Sequence, residues 1–169
     1  MVQIGESVST LASPLEHLLA CHRRIEQRLS TFVKAAAELE ARPEQALAAI
    51  AAAMRFMDTN GVRHTEDEEQ SVFPRLKPHL TAQELAFVEG LEAEHVKAEG
   101  IYVAMKAAVP GLPATKATYL KLAERLEAIY RKHIQAEDEI LIALARRDLK
   151  APEIVEISGE MRARREVAC

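Results

Sequence analysis

Apolar residues along the chain fall on helical stripes. In the first stretch Leu15, Leu18, Ile25, Leu29 and Phe32 recur at helical intervals, and His22 fills the gap in their row. A second stripe runs Leu47, Ile50, Met54, Met57, Gly61, His64, Glu68. A third runs Leu85, Val88, His95, Tyr102, with Glu99 between the last two, and a fourth runs Leu122, Leu126, Ile129, His133, Glu137, Ile140, Leu144. Each stripe has the period of an amphipathic helix with polar residues set into its buried face. Ser13-Pro14-Leu15-Glu16 reads as a capped start, with Ser13 and Glu16 forming a capping box, and Thr81 with Glu84 repeats the pattern. Breaks fall at Arg42-Pro43, at Phe73-Pro74 and Pro78, and at Pro110-Gly111 with Pro113. A short further helix follows Pro152. The expected fold is all-α: an up-down-up-down four-helix bundle over about 13–148, with a fifth C-terminal helix over about 152–165, in a single domain over 1–169.

The loops permit a geometric test. In an antiparallel pair, residues equally far from the connecting loop lie at the same height. The midpoint of His22 and His64 is Pro43. That of His64 and His95 lies between His79 and Leu80, and that of His95 and His133 is Ala114. All three midpoints fall in expected loops. With a rise of about 1.5 Å per residue, a two-residue error displaces the layer by only about 3 Å. Four helices therefore each place one inward histidine in a common layer.

Composition narrows the picture. Ala, Glu, Lys, Leu and Arg supply more than half of the 169 residues, aromatics are 4%, and Trp is absent, which disfavours a β-sandwich or barrel. The formal net charge is −4, so phosphate-neutralising nucleic-acid binding is not expected. No apolar run is long enough to span a membrane. The N-terminus lacks a secretory pattern. Of the two cysteines, Cys21 lies beside His22 and Cys169 is terminal, so no structural disulfide is expected and the chain reads as cytoplasmic. Arg162, Arg164 and Arg165 sit at a helix C-terminus, where they complement the helix dipole.

Clustered imidazoles and carboxylates inside a bundle are unfavourable unless something pairs with them, and a metal does so. His64-Thr-Glu-Asp-Glu68 and His133-Ile-Gln-Ala-Glu137 both place a carboxylate four residues after a histidine, on the same helix face. Four imidazoles and two carboxylates exceed what one tetrahedral ion needs and suit two ions sharing bridging carboxylates. Nitrogen and oxygen donors without thiolate point to iron first, with manganese or zinc as alternatives. Glu92-x-x-His95 has the ferritin-type order but occurs once where that pattern needs two.

The repeated half, His22 with His64 and Glu68, then His95 with His133 and Glu137, resembles the hemerythrin-like HHE cation-binding family. The run from Phe56 through His64, Glu68, Glu69, Val72, Phe73 and Pro74 is similar to the family's second helix. The tail Met161-Arg-Ala-Arg-Arg165 is similar to the end of its cytoplasmic bacterial members. The resemblance covers about 11–165 and implies two iron ions, oxo- or hydroxo-bridged when oxidised. Oxygen-carrying members have a second histidine where this chain has Glu99. They also have an aspartate five residues after the fourth-helix histidine; here Glu137 takes the ligand position, with Asp138 following it. The pattern is closer to members that resemble di-iron proteins of iron–sulfur cluster repair and nitric-oxide response. Glu99 as an added anionic ligand would favour the ferric state, hence reaction over reversible oxygen binding. The implied roles are binding or sensing of oxygen or nitric oxide, a di-iron enzyme acting on peroxide or nitric oxide, and iron handling with an iron–sulfur client protein.

The expected metal set is thus His22, His64, Glu68, His95, His133, Glu137 and Glu99. Tyr102, Glu26 and Tyr130 are expected to support ligands or shape the pocket. His17, five residues before His22, is expected at the surface, and His79 in a loop. Of the acidic run Glu66-Asp67-Glu68-Glu69, only Glu68 is expected to point inward.

Overall fold

The first rod of the bundle is one uninterrupted helix, α1 (Pro14–Glu38). The computed structural model describes residues 11–166. The second rod is α2 (Pro43–Phe56), a π-helical turn at Met57–Gly61, α3 (Val62–Asp67), a second π-helical turn at Glu68–Val72, and α4 (Phe73–Leu76). The third is α5 (Ala82–Ala108). The fourth is α6 (Lys116–Ala136), a π-helical turn at Glu137–Leu141, and α7 (Ile142–Asp148). The short α8 (Ala151–Glu166) completes an all-α bundle, with no strand among the described residues. No described helix is long and apolar enough to cross a membrane.

The caps follow the sequence in part. Thr81 and Glu84 form a complete capping box at the start of α5. Ser13 does not cap α1 through its side chain. Glu16 reaches across to Arg146 instead, at 2.6 Å, and Pro14 at the first helical position supplies the start. The π-helical turns also shift the stripes. Beyond Glu137, Ile140 is 45% exposed, while Leu141 and Ile142 are buried. A π turn holds one residue more than an α turn, so the inward face slips by one position.

Backbones approach closely along α1–α2, α1–α6 and α5–α6. The seam between the second rod and α5 is held open by a cavity of about 510 Å³. Two apolar clusters fill the interior. One holds Ile25, Leu29, Phe32, Ile50, Met105, Tyr119 and Leu126. The other holds Leu18, Val72, Phe73, Leu76, Val88, Leu141, Ile157 and Met161. Between them lies a layer of buried histidine and glutamate.

Candidate metal centre

Each rod delivers its histidine to that layer. His22 from α1, His64 from α3, His95 from α5 and His133 from α6 are all buried, and Glu68 and Glu137 have no exposure at all. The spacing of four residues sets each glutamate beside its own histidine: His64 Nε2 lies 3.4 Å from Glu68 Oε1, and His133 Nε2 lies 3.1 Å from Glu137 Oε1. Both glutamates open a π-helical turn, a local widening that recurs where helices carry functional side chains.

The two carboxylates face both ways. Glu68 turns Oε1 toward His22 Nε2 at 3.7 Å and Oε2 toward His95 Nε2 at 3.5 Å. Glu137 turns Oε2 toward His22 Nε2 at 3.2 Å and Oε1 toward His133. Two ligand groups result, His22–His64–Glu68–Glu137 and His95–His133–Glu137, with donor atoms within 4.8 Å of one another in each group and Glu137 common to both.

Outer carboxylates orient three of the four imidazoles. His22 Nδ1 lies 2.6 Å from Asp138 Oδ1, His95 Nδ1 2.8 Å from Glu69 Oε1, and His133 Nδ1 2.8 Å from Glu94 Oε2. An Nδ1–H donated outward leaves the Nε2 lone pair facing the centre, the arrangement of a metal-binding histidine. His64 Nδ1 is buried with no hydrogen-bond partner among the described residues.

These donors fit metal ions. All four oxygens of Glu68 and Glu137, and His22 Nε2, are buried without a hydrogen-bond partner among the described residues, a state that is costly unless a cation satisfies them. His95 Nε2 and His133 Nε2 stand 2.8 Å apart. With both Nδ1 protons committed outward, two lone pairs would oppose each other there. Protons take up the strain when no ion does. Burial works against charge on His22, yet Glu137 and Glu68 raise it to about 11. Against the same burial penalty, Glu137 raises His133 to about 9. Burial and the charge of Glu137 push Glu68 up to about 8. His64, buried and beside His22, falls well below the ordinary imidazole range.

Other expected residues lie around this centre. Glu99 is exposed and lines the cavity, outside both ligand groups. Tyr130 also lines the cavity and meets the His133 ring edge-on at 6.2 Å. Tyr102 spans the open seam, donating to Asp58 Oδ1 at 2.9 Å and to the Met54 carbonyl at 3.2 Å. Glu26 is half-buried and pairs with Arg23 at 3.7 Å. His79 sits in a short 3₁₀ turn, 3.4 Å from Glu153. Cys21 is buried, and Cys169 lies outside the described residues.

Three expectations are corrected. His17 is 1% exposed, because α8 covers it and Arg165 reaches its Nε2 at 3.0 Å. The acidic run is not a solvated face apart from Glu68: Asp67 is fully buried against Arg164 and Arg165, and Glu69 holds His95. Two of the three tail arginines therefore serve a buried carboxylate and not only a helix dipole. Sequence reasoning also passed over Glu94 and the partnership of Asp138 with His22. One signal was available: Glu69 and Asp138 each stand five residues after a ligand histidine in the two matching halves.

Comparison with known proteins agrees with this geometry. A comparison with curated proteins finds no match. The family model of the hemerythrin HHE cation binding domain matches residues 13–145, a span that carries His22, His64, Glu68, His95, His133 and Glu137. The chain belongs to the hemerythrin HHE cation-binding family.

Proposed function

We infer that the protein is a non-heme di-iron protein that binds or responds to a small ligand: oxygen, nitric oxide or peroxide. The observation that carries this reading is the pair of fully buried glutamates, each turning one oxygen to either half of the histidine layer with no hydrogen-bond donor on any of the four. Donors of this chemistry suit iron ahead of manganese or zinc. His22, His64, Glu68 and Glu137 would hold one ion, and His95, His133 and Glu137 the other.

Bound ferrous ions would supply electrons and exchangeable positions for a small oxidant or diatomic ligand. The protein decides which side is approached. His95 and Tyr130 line the cavity, as do Glu69 and Glu99, whereas His22 and His64 do not. Small ligands therefore approach from the His95 side. The carboxylates on three outer nitrogens keep those imidazoles in one tautomer, and Glu99 at the cavity wall brings negative charge where oxygen-carrying relatives place a histidine. That charge favours reaction over reversible carriage.

The test is anaerobic addition of ferrous iron, with metal analysis and optical spectra before and after oxygen. Two irons per chain and a new diferric absorption are expected. One tightly held zinc with no iron uptake would overturn the reading. Repeated turnover of peroxide or nitric oxide would identify an enzyme, and stoichiometric uptake a binder. Iron transfer to an apo iron–sulfur protein would mark iron handling.

A further inference from the structure

The family match ends at residue 145, and α8 lies beyond it. Yet α8 is fastened to the residue next to the ligand Glu68. Asp67 is fully buried. Arg164 donates to its Oδ1 at 2.7 Å, and Arg165 to its Oδ2 at 2.8 Å and its Oδ1 at 3.3 Å. The hold extends along the π-helical turn that Glu68 opens. Arg164 also donates to Ser71 Oγ at 2.6 Å, and Ser71 donates to Glu160 Oε2 at 2.6 Å. Both ends of the turn are thus gripped by one helix. Arg165 meets His17 as well, five residues before His22 on α1. The apolar side of the same helix is seated through Ile157 and Met161 in the second core cluster, and Ser158 donates to the Leu11 carbonyl.

The other half of the site is held differently. The π-helical turn that Glu137 opens continues into Asp138, which binds His22 within the site itself. Two halves of matching sequence therefore differ in what fixes their glutamate. A buried carboxylate facing two guanidinium forks has one favourable position, and loss of both arginines would leave its charge stranded in the interior. A π-helical turn is also less regular than the α-helix around it, so it needs such fixing.

We propose that α8 is a positioning device for the metal centre, in which Arg164 and Arg165, acting through Asp67, fix the turn that presents Glu68 and so secure the ion on the His22–His64 side. This rests on the metal-binding reading above. The bonds that Arg164 and Arg165 make to Asp67 act on the backbone that Asp67 shares with Glu68.

The experiment titrates the full chain, expressed in metal-depleted medium, with cobaltous ion, following ligand-field absorption. Wild type should bind two ions. Arg164→Gln with Arg165→Gln should weaken one of them by about tenfold or more, the scale of an outer-partner loss, while the other stays within about twofold. Absorption of the retained ion should survive a further His64→Ala change and vanish with His133→Ala. Asp67→Asn should reproduce the loss and add little to it in combination. Lysine at both positions keeps charge without the planar fork and should fall between. Ile157→Ala, which thins the packing of α8 without touching Asp67, should lower Tm and leave the ratio of the two affinities unchanged. Equal weakening of both ions in the arginine variants, or of neither, overturns the proposal. A wild-type chain that takes up no cobalt overturns the metal reading itself.

Discussion

At the scale of single residues, the centre turns on the inequality between Glu137 and the other ligands. Glu137 belongs to both ligand groups, whereas His64 belongs to one. Glu137→Ala should therefore take bound metal below about one ion per chain, and His64→Ala should leave about one, on metal analysis after desalting. A Glu137→Ala protein that still holds two ions would show that the two halves bind independently. The six central residues were legible in the sequence, because heptad-like stripes interrupted by histidine and the loop midpoints depend only on helix geometry. Their outer partners were not. Glu94 immediately precedes His95 and has no periodic signal, and Asp67 reads as one more surface acid until a helix almost a hundred residues later covers it.

At the scale of elements, the sequence signals capping chemistry well and helix phase less well. Thr81 and Glu84 form the box that their spacing implies. Ser13 and Glu16 have the same spacing, but Arg146 draws Glu16 away. The π-helical turns are invisible to a search at fixed period, which is why the row from Glu137 to Ile140 ends on an exposed residue. The α5 cap yields a measurable expectation. Thr81→Ala should lower stability by about 1 kcal/mol in denaturant unfolding. Arg147, then the backbone and side chain of Thr81, hold the Glu84 carboxyl down at about 2 against an ordinary value of 4.5. A carboxyl depressed on folding stabilises fully above its unfolded value and loses that contribution as pH falls toward the folded one. The stability gap between wild type and Glu84→Gln should therefore be steady above pH 4.5 and shrink below it. The part due to Arg147 should also fade in high salt, since the pair is exposed. A gap that does not change on acidification would separate Glu84 from the cap.

At the scale of the whole molecule, two apolar clusters are joined through a layer that is charged when metal-free, so the fold and the metal are linked through pH. In the metal-free chain His22, His133 and Glu68 are held at about 11, 9 and 8, above their ordinary values. Groups raised on folding stabilise most below their unfolded values and lose that contribution as pH rises through the folded ones. His64 has the opposite sign, but its effect lies below the ordinary 6.5, as does that of the depressed Glu137. Between pH 6.5 and 9 the Tm of metal-free protein should therefore fall with rising pH. The loaded protein should not: its ligands carry no protons, as in the unfolded chain above pH 6.5, so its Tm should stay nearly level across the window. The metal-free chain must shed protons to bind, so affinity increases with pH, and the Tm gap that mass action opens between the two forms widens with it. Calorimetry with and without a chelator should show the two curves diverging upward from pH 6.5, with metal lost on the acid side. Parallel curves across that window would mean that the buried layer exchanges no protons for metal, and that the orphaned carboxylates of Glu68 and Glu137 are satisfied in some other way.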